Sequence, residues 1–565
     1  MTDPIKLPPG VGRLTDLGNA HRLAAASGDR LRYAPGVGWL VWPGEEGPAW
    51  KRDESAAVRA GETAVRDFLT ECEGSERDAR SRVAKFSFNA TDAKKRLAAS
   101  TAMLESAREG GDKEVVENTV NAILEESKKA AQSESDATKS KSILDAASAS
   151  LTFAKRSQKV GQVRAMLDWA SSFEGIRIEA SALDAVPHLL ASTGGTIDLR
   201  DGSTRAPAAS DLISRATTVR YEPNDPSVIA DALEWSAYVM DLIRDRETAD
   251  WLHVWAGYCL TGSAKEEKFC ILQGPPGDGK GTFVEALASA LGPSLSAALN
   301  PDMFIERRGG GSKPWSLARL QGVRLARFSE ADGSAKLSAS LLCRVTGGES
   351  VEAEAKFQTP FDYKPEWKLT FTANDLPHAN PDAKRNGLWR RLCLVPCQRP
   401  STAEEAQDSR IKARWTDPAG GARGVLLWAV RGAERYYTLG RLPPRSAVMT
   451  QAATRYQKSS DPLGQFLEDY YTRSDPDESG QLPHVDRDDL YRNFIEWCKS
   501  NGEKYYASGA EVRERLADPP WSVDCVRNRS GCGRAYRGLR ALDQKDRNDP
   551  AEEFPRNEEN PDAQT

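Results

Sequence analysis

Residues 269–292 read FCILQGPPGDGKGTFVEALASALG: an apolar run of strand character, a turn rich in glycine and proline, and a stretch with helical spacing. A strand that enters a glycine-rich loop and leaves through a helix start makes an anion-binding arrangement, because backbone N–H groups and the helix terminus converge on the turn. Gly274, Gly277 and Gly279 let the backbone wrap an anion where a side chain would clash or restrict φ. Pro275, Pro276 and Asp278 complete the turn, and Lys280 brings a full positive charge suited to the β- and γ-phosphates of a nucleotide. The phosphate-loop pattern asks for Ser or Thr directly after the lysine as a Mg2+ ligand. Here that position is Gly281, and Thr282 follows one residue later. Either Thr282 reaches the metal, or the metal depends more on water and distant carboxylates. The implied ligands are ATP and Mg2+.

Outward from this loop, residues from about 268 to 400 alternate strand and helix patterns, the mark of a wound α/β domain with a parallel sheet. GVRLARFSEAD (322–332) reads as a strand ending in Glu330, with Asp332 two residues on. One such carboxylate can hold Mg2+ through water while the other activates the attacking water. WKLTFTANDLPH (367–378) is a second strand, ending in Asn374, whose amide donates and accepts without charge and so can sense a γ-phosphate. NGLWRRLCLVP (386–396) sets Arg390 and Arg391 just before a third apolar strand. Paired arginines there can neutralise charge developing on a neighbouring subunit's nucleotide. Lys280, Glu330, Asn374 and Arg390 stand 50, 44 and 16 residues apart, each interval about one strand–helix unit or less. That order specifies a ring-forming ATPase better than any one position does.

Composition sets the bounds. A chain of 565 residues implies roughly three or four folding units. Its formal net charge is −5, and the last 25 residues carry all of it, with eight acids (Asp543, Asp546, Asp549, Glu552, Glu553, Glu558, Glu559, Asp562) against three bases. No apolar run approaches the roughly 18–20 residues of a membrane span, and the N-terminus MTDPIKLPPGVGRL lacks a signal-peptide layout. Nine scattered cysteines form no CxxC pair, and neither Cys393/Cys397 nor Cys525/Cys532 finds the extra ligands a zinc site needs. The expectation is a cytoplasmic protein with reduced thiols and no membrane partner.

Elsewhere, LRYAPGVGWLVWPG (31–44) reads as a small β element with Trp39 and Trp42 on one face. Residues 89–152 contain neither proline nor aromatics and have weak apolar spacing, so they read as exposed helices hinged at Gly110–Gly111 rather than a firm coiled coil. HLLASTGGTIDLRDG (188–202) reads as strand–turn–strand, and about 225–262 as helical. Near the C-terminus, DDLYRNFIEWCKSNG and GAEVRERLA read as two helices before a basic strand–loop–strand, the order of a winged helix. Its segment RNRSGCGRAYRGLR (527–540) holds Arg527, Arg529, Arg534 and Arg537 with no acid, a candidate contact for the DNA backbone. The expected division is an α-rich N-terminal domain (1–215, with a helical insertion at about 75–140), a helical collar (216–265), an ATPase domain (266–455), a winged-helix-like domain (456–542) and an acidic tail (543–565).

GPPGDGKGT (274–282), FSEAD (328–332), LLCRVTGGES (341–350), FTANDLP (371–377) and LWRR (388–391), in that order, resemble the superfamily 3 helicases of phages and plasmids. The likeness is to the primase-helicase group related to poxvirus replication ATPases. TDLGNAHRL (15–23), TGGTIDLRDG (193–202) and GRAYRGLRAL (533–542) extend it over most of the chain. The resemblance implies an AAA+-related core that assembles as a homo-oligomer, a hexameric ring, on single-stranded and forked DNA, and moves 3′ to 5′. It places the protein in a bacterial host cell, with a primase or polymerase as candidate partners. It makes VEAEAKFQTPF (351–361) a channel hairpin, in which Lys356 and Phe357 suit DNA and Glu354 departs from the basic residue relatives carry. An origin-binding initiator and a bifunctional primase-helicase are the alternatives. No Asp-x-Asp motif before residue 215 favours primer synthesis.

Overall fold

The computed structural model describes residues 7–305, 315–329, 336–354, 361–379, 387–399, 409–476, 478, 480–502, 506–527 and 533–542. The chain divides into two compact units, residues 1–185 with 207–214, and 186–206 with 215–565.

In the first unit, strands β1 (Leu31–Ala34), β2 (Gly38–Val41) and β3 (Lys51–Arg52) form an antiparallel sheet. Trp39 and Trp42 do not share a face. Trp39 packs with Leu31, Ala57 and Met166, whereas Trp42 packs with Ala34, Leu40 and Trp50. Three residues apart in extended chain, their side chains point to opposite faces. The helices Glu54–Glu109 and Lys113–Ser157 are separated by a turn at Gly110–Asp112, with Gly111 at φ +73°. They run back along one another, as Phe68 beside Phe153 and Lys94 paired with Glu134 (2.8 Å) show. At about 1.5 Å per residue the first helix is roughly 84 Å long. The residues buried along the pair are mostly small, among them Ala79, Ala93, Ala130, Ser140 and Ala154, so the helices meet without the large apolar heptads a sequence pattern detects.

The second unit opens with an antiparallel sheet of β4 (Leu189–Ser192), β5 (Gly195–Asp198) and β6 (Thr204–Arg205). Its centre is a parallel sheet built from β7 (Phe269–Gln273), β8 (Ser296–Ala298), β9 (Leu325–Ser329), β13 (Lys368–Ala373) and β15 (Leu392–Pro396), in the spatial order β15-β7-β13-β9-β8. The short strands β10 (Lys336–Leu337), β11 (Val351–Ala353), β12 (Phe361–Tyr363) and β14 (His378–Ala379) pair outside it. The architecture is mixed α/β. Side chains alternate across the sheet as the pleat requires. Cys270, Leu272, Leu325, Cys393 and Val395 face a core built with the helices Pro226–Ile243, Arg246–Leu260, Lys280–Leu291 and Ala422–Leu439. Phe269, Ile271, Phe328, Leu369, Phe371 and Leu394 face a second core with Phe304, Leu342 and Trp367. Burial on both faces explains why these strands read as continuous apolar runs.

Toward the C-terminus, the helices Pro462–Tyr470, Arg487–Ser500 and Gly509–Ala517 pack through Phe466, Leu490, Phe494 and Leu516. They lie with the pair β16 (Tyr471–Arg473) and β20 (Leu539–Ala541), and a three-stranded antiparallel sheet of β17 (His484–Asp486), β18 (Asp524–Arg527) and β19 (Arg534–Arg537). No helix among the described residues is long and apolar enough to cross a membrane.

Candidate nucleotide-binding site

The loop 274–279 leaves the carboxyl end of β7, where the chain crosses to opposite sides of the sheet, the place where open α/β sheets bind ligands. Gly277 (φ +79°) and Gly279 (φ +104°) adopt left-handed backbone that only glycine takes readily. A Cβ on Gly274 would collide with the Asp278 carboxylate, and one on Gly279 with the Tyr238 hydroxyl. Gly279, at the start of the helix Lys280–Leu291, supplies no side-chain cap; the Lys280 N–H goes to Asp278 Oδ1, and the N–H groups of the next two residues are left to an anion. Gly281, on the exposed first turn, has nothing within 4 Å of where a Cβ would lie.

Lys280 is 5% and Asp278 1% exposed. The ammonium folds back over the loop, donating to the carbonyls of Gly274 (2.9 Å) and Pro275 (2.8 Å) and pairing with Asp278 Oδ1 (3.3 Å). The same oxygen accepts the Lys280 backbone N–H at 3.0 Å, while Asp278 Oδ2 is buried with no hydrogen-bond partner among the described residues. The ammonium can exchange these loop carbonyls for polyphosphate oxygens, and the glycine cradle fits such an anion. The Thr282 side chain stands beside the Tyr238 hydroxyl, whose own proton goes to the Gly279 carbonyl (3.1 Å). A hydroxyl oxygen on this first turn suits a cation ligand although it stands one residue late.

The sheet brings distant sequence positions together. Ala373 is in register with Gln273, and the Gly274 N–H donates to the Ala373 carbonyl at 3.2 Å. Asn374 therefore lies level with the start of the loop, half-buried at the carboxyl end of β13. The next strand, β9, pairs Ser329 with Thr372. Glu330 and Asp332, which follow it, lie outside the described residues, as do Lys356, Phe357, Arg529 and the tail 543–565.

Arg390 and Arg391 are at the opposite edge. Leu392, which follows them, is in register with Phe269 at the start of β7. A single oxygen, Glu267 Oε2, accepts from Arg390 Nη2 (2.9 Å) and Arg391 Nη2 (3.0 Å). Glu267 holds left-handed backbone (φ +52°), unusual for a residue with a side chain. The Arg390 side chain is 66% exposed and that of Arg391 13%. Arg391 also hydrogen-bonds Cys343, whose thiol is pushed up chiefly by burial.

In the C-terminal sheet, Arg527 and Arg534 are exposed cross-strand partners, a like-charge pairing that costs stability unless solvent or an anion screens it. Arg537 stands between Asp524 and His484 in the register and is therefore partly balanced.

Sequence reading missed Tyr238, Arg399 and Glu267. A tyrosine in an amphipathic helix and a glutamate before a strand carry no local signal; only tertiary contacts reveal them.

Residues 20–244 match the family described as D5 N terminal like. Residues 272–391, from the end of β7 to the second arginine, match a family of unknown function (DUF5906). The chain is 26% identical over 333 residues to "Putative helicase L207/L206" of Acanthamoeba polyphaga mimivirus, covering 56% of this chain and 34% of that protein. It is 23% identical over 340 residues to "Putative helicase 121R" of Invertebrate iridescent virus 3, covering 56% and 35%. The match thus spans about a third of the length of either viral protein. Among solved structures, the apo NrS-1 C terminal region is 12% identical, covers 60% of this chain and 87% of that one, and has a TM-score of 0.33. A crystal structure titled as an acetamide compound bound to JCV Helicase is 12% identical, covers 58% and 84%, and has a TM-score of 0.21; scores this low have no bearing on the fold. Over slightly more than half its length, the chain is similar to viral proteins named as helicases.

Proposed function

We propose that this chain is an ATP-dependent replicative DNA helicase of the superfamily 3, AAA+-related type, working as a homo-oligomeric ring, a hexamer, that moves 3′ to 5′. The observation that carries the reading is the adjacency of β7, β13 and β9. It sets the lysine-bearing loop, Asn374 and the strand leading to Glu330 side by side, although they are far apart in sequence. The similarity to viral proteins named as helicases supports the same reading.

Gly274 to Thr282 hold the ATP phosphates, with Lys280 exchanging its loop carbonyls for phosphate oxygens. Mg2+, held through Thr282 and Glu330, would screen the phosphate charge. Asn374 positions the terminal phosphate, and Glu330 or Asp332 takes a proton from the attacking water. Arg390 is the arginine offered to a neighbour, since it is exposed, while Arg391 anchors the turn through Glu267. The C-terminal module acts as a winged helix whose Arg527 and Arg534 meet the DNA backbone, with Arg529 and Arg537 beside them; Lys356 and Phe357 grip the strand in the channel. Lys280→Ala should abolish DNA-stimulated ATP hydrolysis and displacement of a strand from a duplex with a 3′ tail. Strand displacement retained by that variant overturns the assignment. Site-specific duplex binding by the native chain without displacement would instead favour the initiator.

A further inference from the structure

The last glycine of the phosphate loop is held from outside the loop. Tyr238 lies on the helix Pro226–Ile243, 41 residues before Gly279 in sequence, and its hydroxyl donates to the Gly279 carbonyl at 3.1 Å. The Thr282 side chain lies beside the same hydroxyl on the first turn of the following helix. One oxygen thus holds the left-handed turn directly before Lys280. The Tyr238 ring is itself fixed. It stacks on Trp235 (centroids 5.1 Å, 16°), which in turn stacks on Phe283 of the loop's own helix (5.9 Å, 13°). The Arg399 guanidinium, 5.6 Å from the ring centroid and paired with Asp241 at 3.0 Å, also lies over the ring. Burial pushes the phenol up to about 12, so the hydroxyl keeps its proton at neutral pH.

We propose that Tyr238 is a positioning residue for nucleotide binding, a brace that fixes Gly279 in the geometry the phosphates require. The inference rests on the phosphate-loop reading above. Gly279 pays for its left-handed freedom with mobility, since glycine loses more conformational entropy on ordering than any other residue. A loop already held by Tyr238 binds the phosphates without first having to be ordered. The brace acts on affinity rather than on chemistry, because Tyr238 touches the loop and not the reacting atoms.

The test is Tyr238→Phe in the full chain, which removes one oxygen and leaves the ring to stack on Trp235. Affinity for a fluorescent ATP analogue, titrated without DNA, should weaken by about five- to tenfold, the equivalent of about one lost hydrogen bond. KM for ATP should rise by the same factor, with kcat at saturating ATP within about twofold of native and a melting temperature lowered by no more than about 2–3 °C. Unchanged affinity overturns the proposal, and so does a loss of affinity accompanied by a parallel fall in kcat and melting temperature, which would mark a merely structural role. Lys280→Ala in the same titration separates the two levels. If the native chain binds no analogue, the phosphate-loop reading fails and the brace falls with it. If the native chain binds, Lys280→Ala does not and Tyr238→Phe matches native, only the brace falls.

Discussion

The position of Arg390 and Arg391 excludes one role and predicts another. They precede Leu392, which is level with the first residue of β7, whereas the phosphate loop follows the last, Gln273. Five strand residues at about 3.3 Å each separate the two edges by roughly 16 Å, further than an arginine side chain reaches. The arginines therefore cannot serve the loop of their own chain. If they serve a neighbour's, every working site takes its loop from one subunit and its arginine from the next. Arg390→Ala alone should lower kcat on the order of 10³-fold, in the range known for arginines acting in trans, while leaving the melting temperature unchanged, since the side chain is 66% exposed. Lys280→Ala should be equally inactive. Mixed in equal amounts with subunit exchange, the two variants restore some interfaces: half of the loops and half of the arginines are intact, so about a quarter of head-to-tail interfaces have both. ATP hydrolysis should return to about a quarter of the native rate if interfaces act independently. The assay is steady-state hydrolysis, with energy transfer between labelled variants to confirm exchange. An inactive mixture whose subunits have exchanged refutes an arginine acting in trans, as does full activity of Arg390→Ala alone.

Two further predictions concern how the site is held. Glu267→Ala leaves the largely buried Arg391 without its ion pair, an expected loss of about 1–2 kcal/mol given that the pair is partly solvated. Glu267→Gly loses the same carboxylate but relieves the φ of +52°, so it should melt above the Ala variant by the equivalent of about 1 kcal/mol; an Ala variant as stable as the Gly variant excludes backbone strain at 267. His253 stacks on Trp428 (4.5 Å) and shares a 2.8 Å hydrogen bond with the Trp428 carbonyl, so Nε2 must carry the proton. Burial pushes its pKa down to about 4. The unfolded chain therefore takes up this proton first, and the stability it confers is present above pH 6.5 and lost as pH falls toward 4. Urea titrations at pH 7 and pH 5 should show a loss of about 2 kcal/mol that His253→Gln reduces; an equal loss in the variant would assign the acid sensitivity to other groups.

What could be read from sequence followed from local chemistry. The strand, loop and helix of 269–292 were legible because glycine, lysine and apolar spacing each act within a few residues. The parallel strands were legible because burial on both faces demands unbroken apolar runs. The helical hairpin was only half legible: its alanines and serines allow close pairing without producing a heptad. Tyr238 and Glu267 were not legible at all. Their partners lie 41 and more than 120 residues away, and neither side chain is unusual for its own element. The strand order was likewise hidden, since strand patterns do not say which strand inserts between β7 and β9.

The two halves of the proposed site meet on one strand. The phosphate loop leaves the carboxyl end of β7, and Glu267, which orients the arginines, stands two residues before its amino end. Phe269 to Leu272 are 0–1% exposed, and β7 is hydrogen-bonded along both sides, to β13 and β15. Such a strand has no room to bend and no free edge along which to slip. Its far end carries Gly274, while Tyr238 fixes Gly279 to the helix Pro226–Ile243. The loop is thus anchored at both ends, and its two anchors also share a core in which Cys270 and Leu272 of β7 pack with Trp235, Leu242 and Ile243 of that helix, so the span from Gly274 to Gly279 is held at a nearly fixed length. That span is where the phosphates would bind.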